Sequence, residues 1–469
     1  MIHSSDTIVA CATPTGGAIA VVRMSGHDAI SIAERMFRPR GRHALSEAEG
    51  YTAHYGEVID SEGVVIDDVV LTLFRAPRSY TGEDSIEISC HGSAYIVGQI
   101  IRRAIDCGAR AATAGEFTTR AFLAGKIDLA QAEGVADMIA STDRATHRVA
   151  LNQMRGGFST ELRGLRDELL RLSALLELEL DFAEEEVEFA DRTTLQHIMT
   201  AIDSHLARLV DSFSLGNALK EGIATAIVGA PNAGKSTLLN RLLNEERAMV
   251  SEIAGTTRDS IEESIVIAGR RFRVIDTAGI RSTDDRLEQM GIDRTFSSLR
   301  RATVVLLVCD CSTWHDHEDA RDAAEAIKHT ITDLQLAEEQ TLITILNKCD
   351  CVSAGFVAAL RGELSGEVLA ISARTGEGID EVVSALAQIA EKMTAEAGDT
   401  VVTSARHYEA LINARWALGR ALEGMAGGLP SDLLSEEIRQ VIYYLGTITG
   451  EITTDEILGQ IFSKFCIGK

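Results

Sequence analysis

The sequence predicts a multidomain α/β protein: an N-terminal α+β domain, a helical domain, and a P-loop (Ras-like) α/β domain inserted into the helical one. Three observations lead to this reading. Residues 1–124 alternate short strand-like runs (IAVVRM, VVLTLF, SIEIS) with helical ones and glycine-rich turns, the pattern of a compact α+β domain. Residues 125–221 change to long helical stretches. DLAQAEGVADMIAS and ELRGLRDELLRLSALLELELDF carry apolar residues at i, i+3, i+4 and i+7, and the acidic AEEEVEF reads as a solvated helix end. In residues 222–391 the runs IATAIVG, FRVIDT, VVLLVCD, LITILN and VLAIS alternate with helices, which predicts a mostly parallel sheet wrapped by helices. From 392 to 469 the chain is helical again, so the strand–helix domain reads as an insertion.

Composition narrows the possibilities. The chain has 469 residues, of which 45% are hydrophobic, enough for several buried cores. No run approaches the roughly 20 apolar residues of a membrane helix, and MIHSSDTIVACATP lacks a basic region followed by an apolar one. A cytoplasmic protein with no membrane partner is expected. The eight cysteines are scattered, with Cys309/Cys311 and Cys349/Cys351 in C-x-C spacing, and read as reduced, small core residues rather than zinc ligands or a disulfide framework. Lys and Arg total 45 against 70 Asp and Glu, a net charge of −25 that repels phosphate backbones at long range. Unaided nucleic-acid binding is therefore disfavoured.

The strongest local signal is GAPNAGKST, residues 229–237, between the strand IATAIV and the helical LLNRLL. Strand, glycine loop and helix in that order make a P-loop. Gly229 and Gly234 let backbone amides turn to phosphate, Lys235 offers a point charge to the β and γ groups, and Ser236 offers a hydroxyl to Mg²⁺. Asn232, Ala233 and Thr237 complete the loop's contact set. DTAG follows the strand RFRVI: Asp276 can hold the metal through water and the Gly279 amide can sense the γ-phosphate, with Thr277 and Ala278 between them. NKCD supplies Asn347, Lys348 and Asp350. The Asp350 carboxylate can accept from guanine N1–H and its amino group, whereas adenine presents an acceptor there. GTP is the expected nucleotide, and Ser372, Ala373 and Arg374 of SAR are expected to add backbone and hydroxyl contacts to the base.

The segment 251–257 (Ser251, Glu252, Ile253, Ala254, Gly255, Thr256, Thr257) fits a switch closing over the γ-phosphate, with Thr257 joining Ser236 on Mg²⁺. Ile280 stands after DTAG where Ras-type proteins have glutamine, so another group must orient the attacking water. Asn232 beside SEIAG resembles GTPases in which a potassium ion neutralises charge where an arginine finger would.

The P-loop, GTTRD, DTAGIR and the ending TITGEITTDEILGQIFSKFCIGK together resemble the MnmE (TrmE) family of tRNA-modifying GTPases. SYTGEDSIEISCHG and GEFTTRAFLAGKIDLAQAE look like that family's N-terminal domain and its junction to the helical domain, so the resemblance covers the whole chain. It implies a homodimer that forms a heterotetramer with the flavoprotein MnmG (GidA), whose FAD serves the reaction. Together they add an aminomethyl or carboxymethylaminomethyl group to C5 of the wobble uridine of certain tRNAs, tRNA being held mainly by the complex. The carbon comes from a 5-formyl- or methylene-tetrahydrofolate. Residues 1–124 then form a folate-binding and dimerisation domain and 222–391 the G domain. The resemblance puts folate contacts on Arg23, Glu87, Lys126 and Lys469, potassium on Asn232, Ser251, Ile253 and Thr256, and water positioning on Glu288, twelve residues after Asp276. A carboxylate can pair with a pterin's guanidine-like edge, and basic groups can pair with the folate glutamate. Glu87 as a solvated strand residue and Glu288 as a surface helix residue are the alternatives.

The terminal CIGK poses its own question. A lipid anchor does not suit a chain ending in Lys469. The resemblance makes Cys466 a candidate catalytic thiol, favoured as thiolate by Lys464 or Lys469, with a plain buried cysteine as the alternative. The Gly16–Gly17 turn, Ser93 after His91-Gly92, and Thr447 depart from the family pattern, the first two bearing on folate contacts. The other reading is a ribosome-assembly switch of the Era or Der kind, which shares N-x-G-K-S. It needs a KH-like domain with a GxxG loop in a basic setting, which this chain lacks.

Overall fold

The computed structural model describes residues 6–41, 44–181, 192–244, 263–275, 299, 302–314, 320–337, 340–395, 401–463, 465, 467 and 468. The chain divides into two compact units: Met1–Ile139, Leu151–Ile198 and Trp416–Lys469 in one, Ala140–Ala150 and Met199–Arg415 in the other. The helical segments 199–221 and 401–415 thus belong with the inserted sheet's unit.

In the first unit the strands are β1 (Ile8–Cys11), β2 (Ile19–Ser25), β3 (Phe37–Pro39), β4 (Thr52–Ile59), β5 (Val65–Phe74), β6 (Ser85–His91) and β7 (Arg110–Ala111). Among the described residues they form one sheet in the order β3-β4-β5-β6-β2-β1-β7, antiparallel except for β1 with β7. Strand alternation explains its two faces. Ala20, Val22 and Met24 of β2, Ile86 and Ile88 of β6, and Val69, Leu71 and Leu73 of β5 are buried in one core with the apolar faces of helices Ala29–Met36 and Ala94–Asp106. The residues between them, Arg23 and Glu87 included, line the opposite face. The sequence reading found β2, β5 and β6; β4 (TAHYGEVI) escaped it because only half its residues are apolar and a glycine interrupts them.

Helices Gly157–Asp181 and Ser431–Thr449 of this unit pack on each other. Leu162, Leu165, Leu169, Leu172 and Leu176 recur at three- and four-residue spacing and are buried, as are Leu434, Ile438, Val441, Leu445 and Ile448. The Ser173 and Ser435 hydroxyls meet in this seam at 3.5 Å, and Arg439 pairs with Glu177 at its edge, 2.7 Å apart.

The second unit holds β8 (Ile223–Val228), β9 (Glu263–Ile267), β10 (Arg270–Ile275), β11 (Val304–Asp310), β12 (Thr341–Asn347) and β13 (Glu367–Ala370). Their order is β13-β12-β11-β8-β10-β9, parallel except for β9, which pairs antiparallel with β10. Strands buried on both faces read as continuous apolar runs, as IATAIV and VVLLV do. Helices Lys235–Asn244 and Ile379–Ala395 pack on one side. Helices Ala320–Asp333 and Ala354–Glu363 pack on the other. This is a doubly wound sheet, and β8 lies between β10 and β11, where the strand order reverses. Ligands of such sheets bind at the carboxyl end of the strands at that reversal. No helix among the described residues is long and apolar enough to cross a membrane.

Candidate functional site: a nucleotide loop and a basic–acidic pair under the C-terminus

The carboxyl end of β8 leads into the P-loop, and helix Lys235–Asn244 begins within the GKS triplet. Gly229 adopts φ +147° and Gly234 φ +100°; a Cβ on Gly234 would stand 2.1 Å from the Asn347 amide nitrogen. Both glycines are therefore required by the backbone and by its neighbours. Asn232 is itself left-handed, at φ +62°, and exposed. The Lys235 ammonium donates to the Gly229 and Ala230 carbonyls at 2.8 and 2.9 Å, and burial lowers its pKa. Phosphate oxygens would compensate that desolvation better than two carbonyls do. Ser236 and Thr237 are exposed in the first turn of the helix.

The guanine motifs meet the P-loop through Asn347. Its buried side chain donates to the Ala233 carbonyl at 2.7 Å and accepts from the Ala373 amide at 3.0 Å, tying the phosphate loop to the SAR loop. The Ala373 amide, expected at the base, is thus committed to Asn347. The Ser372 hydroxyl and the Arg374 guanidinium hold the Asp350 carboxyl below the usual range, Arg374 at 2.5 Å. Asp350 is therefore an anion at neutral pH, as guanine recognition requires. Lys348, left-handed at φ +63°, reaches Asp310 at the end of β11. Burial opposes ionisation of Asp310, but the Lys348 ammonium and Ser312 overcome it and lower its pKa.

Two residues of this scaffold carry no sequence signal as site residues. Arg241 donates to the carbonyls of Ala373 and Arg374 at 3.1 and 2.6 Å, bracing the base loop from the P-loop helix. Asp310 stands opposite Asn347 in the β11–β12 register, which no motif announces. Residues 251–257, Asp276, Thr277, Ala278, Gly279 and Glu288 lie outside the described residues.

In the first unit, Arg23 and Glu87 are directly opposed on β2 and β6. The Arg23 Nε and Nη2 both reach the Glu87 Oε1, at 2.9 and 2.8 Å. The guanidinium also lies 5.8 Å from the ring centroids of Tyr80 and Phe117. Burial raises the Tyr80 phenol, which pairs with the Thr118 hydroxyl at 3.0 Å. The last residues of the chain come to this pair. Ile467 forms an antiparallel bridge with Ala114, and the Gly468 carbonyl accepts from Arg23 Nη1 at 3.4 Å. Gly468 adopts φ +99° and packs so closely on β1 that a Cβ would stand 2.1 Å from the Cys11 carbonyl oxygen. Phe462 and Phe465 anchor the tail in an apolar cluster with Leu129 and Ala132. Cys466 and Lys469 lie outside the described residues. The Lys126 ammonium donates to the Pro77 carbonyl. The Gly16–Gly17 turn is held by Gly16 N–H to the Gly92 carbonyl at 2.8 Å, and Ser93 begins helix Ala94–Asp106 in extended backbone, so no second glycine is required there.

Beneath this site runs an ionic network. Arg120 and Glu116 are 4% and 2% exposed, and Arg120 bonds Asp6, Glu83 and Glu116 at 2.5, 3.1 and 3.1 Å. Arg110 bonds Asp6 and Glu116 at 2.7 and 2.6 Å. The GED and GEFTTR motifs thereby lock to the chain's start.

Comparison with known proteins follows this geometry. A family model described as the MnmE helical domain matches residues 129–466, and one described as the GTP-binding protein TrmE N-terminus matches residues 7–126. A protein of Flavobacterium psychrophilum called tRNA modification GTPase MnmE is 48% identical over 99% of both chains. One of Bacteroides thetaiotaomicron with the same name is 48% identical over 99% of this chain and all of its own. A solved FeoB G-domain from Methanococcus jannaschii is 23% identical over 36% of this chain and 96% of its own, at a TM-score of 0.25.

Proposed function

This chain belongs to the MnmE (TrmE) family of tRNA modification GTPases, and from that premise we propose that its GTP cycle gates a folate-dependent modification of the wobble uridine, performed with an MnmG-type flavoprotein. It is a GTP hydrolase acting in tRNA modification and binds GTP with Mg²⁺. The observation that carries the finer reading is the meeting of the chain's last residues with the Arg23–Glu87 pair. A carboxylate, a guanidinium and the exposed ring of Tyr80 suit a flat heterocycle with hydrogen-bonding edges. Glu87 would accept from the pterin edge, Arg23 would orient Glu87, and Lys126 and Lys469 would pair with the folate glutamate. Cys466, two residues from Gly468, would be brought to the same place as a reactive thiol.

Calorimetry with 5-formyl-tetrahydrofolate tests this. Glu87→Gln is expected to weaken binding by roughly 10- to 100-fold, the worth of one or two charge-assisted hydrogen bonds. Undiminished affinity in Glu87→Gln would move the folate elsewhere.

Asn232, with Ser251, Ile253 and Thr256, would hold potassium beside the phosphates, Thr257 would join Ser236 on Mg²⁺, and Glu288 would orient the attacking water. Hydrolysis is expected to run faster in potassium than in sodium, because carbonyls spaced for the larger ion contact the smaller one poorly. Equal rates in the two salts would remove the ion from the mechanism.

A homodimer is part of this proposal. Ile19, Tyr55 and Val70 are 68%, 51% and 42% exposed, apolar side chains on the sheet face that carries Arg23 and Glu87. With a net charge of −25, the partner flavoprotein would supply much of the tRNA-binding surface.

A further inference from the structure

Strands β11 and β12 run parallel and side by side, with Asp310 opposite Asn347, and both leave the sheet at its nucleotide edge. Each passes directly into a short 3-10 turn that opens on a cysteine: Cys311–Thr313 after β11 and Cys349–Cys351 after Asn347-Lys348. Neighbouring strands stand about 4.8 Å apart, and a disulfide spans Cα atoms roughly 4.4–6.8 Å apart. The two turns touch, and the Cys311 and Cys349 thiols are near enough to shift each other's titration in opposite directions, while the Cys349 thiol donates to the Leu346 carbonyl at 3.2 Å. Both are free thiols. Cys311 is fully buried, whereas Cys349 is half-buried and reachable.

We propose that Cys311 and Cys349 form a reversible disulfide that weakens binding of guanine nucleotides. This rests on the reading of Asp350 as the guanine receptor. The oxidant is a peroxide. The Cys349 thiol is oxidised to a sulfenic acid as the peroxide O–O bond breaks and one water leaves; the Cys311 thiol then attacks that sulfur, the S–S bond forms, and a second water carries off the sulfenic oxygen. Two electrons pass from the thiols to the peroxide oxygens.

Within the pair, Cys349 is the sulfur that peroxide meets first. The neighbouring Cys311 thiol lowers the pKa of Cys349, while Cys349 and burial raise that of Cys311, which puts thiolate character on the reachable sulfur. Closing the bond brings the two sulfurs to about 2.05 Å and takes the Cys349 thiol from the Leu346 carbonyl, so the residue that must yield is the immediate neighbour of Asp350. The Cys349 amide is itself tied to the Ile371 carbonyl at 3.1 Å, so the pull also reaches the Ser372 loop.

The test is to treat the full chain with hydrogen peroxide, map its peptides by mass spectrometry without reduction, and titrate fluorescent GDP before and after. The expected result is a peptide pair joined through Cys311 and Cys349, an affinity at least ten-fold weaker, and recovery with dithiothreitol. Cys311→Ser is expected to bind as tightly as the reduced protein and to keep that affinity after oxidation. Absence of the joined peptides, unchanged affinity of the joined form, or an equal loss in Cys311→Ser would each overturn the proposal. The mapping on the unaltered chain decides disulfide formation even if the serine variant fails to fold. Reduced protein that binds no guanine nucleotide would sink the guanine reading instead, and the mapped bond would be judged separately.

Discussion

Replacing Asp350 by asparagine is expected to lower GTP affinity by on the order of 10³-fold, because two hydrogen bonds to a charged acceptor are lost and an amide donor is set against the guanine amino group. The carboxylate is held ionised by the Ser372 hydroxyl and Arg374, so it accepts and does not donate at neutral pH. An asparagine amide would instead match xanthine, whose C2 position carries an acceptor. The same variant is therefore expected to gain affinity for XTP. Competition between GTP and XTP for a fluorescent nucleotide checks both halves. A variant that retained GTP preference would mean that the base is read elsewhere.

The second large effect concerns stability of the first unit. Arg120→Ala is expected to cost about 3 kcal/mol, the lower end for breaking a buried ion pair, because Arg110 keeps its own bonds to Glu116. Read by amide hydrogen exchange, this is a roughly 100-fold loss of protection in helix Glu116–Leu123. Burial opposes ionisation of Glu116, but bonds from Arg110, the Thr113 amide and Arg120 prevail and hold its pKa below the usual value. Asp6 is lowered in the same way, burial being outweighed by Arg110 and Arg120. Groups with depressed folded pKa values contribute stability above their unfolded values and lose it as pH falls through the folded ones. The native protein should therefore lose protection in this helix as pH drops below about 4, and Arg120→Ala should flatten that dependence. An unchanged pH profile in the variant would mean that the network contributes little.

The ionic network and the nucleotide scaffold differ in how far they could be read in advance. GAPNAGKST and NKCD declare themselves because phosphate and guanine recognition impose fixed spacings on contiguous residues. Arg241 and Asp310 could not be read that way. Each acts on a loop distant in sequence, Arg241 on residues more than 130 positions away, and nothing in a helix-facing arginine or a strand-terminal aspartate distinguishes such a role from a solvated one. The cysteines show the same limit. Core burial was the reading for the cysteines other than Cys466, yet Cys351 is exposed, and Cys311 and Cys349 lie in touching turns at the guanine edge. C-x-C spacing at the ends of two separate strands says nothing about the strands being neighbours.

The sequence by itself determined the fold class, the nucleotide and the family, since apolar periodicity and short motifs are local properties that survive without knowledge of the rest of the chain. Only the tertiary structure decided that the Ala373 amide serves Asn347, that Arg120 gathers three carboxylates, and that the Gly468 carbonyl meets Arg23. Those pairings join residues up to 445 positions apart. They are set by sheet order and helix packing, which bring together groups that no local pattern links.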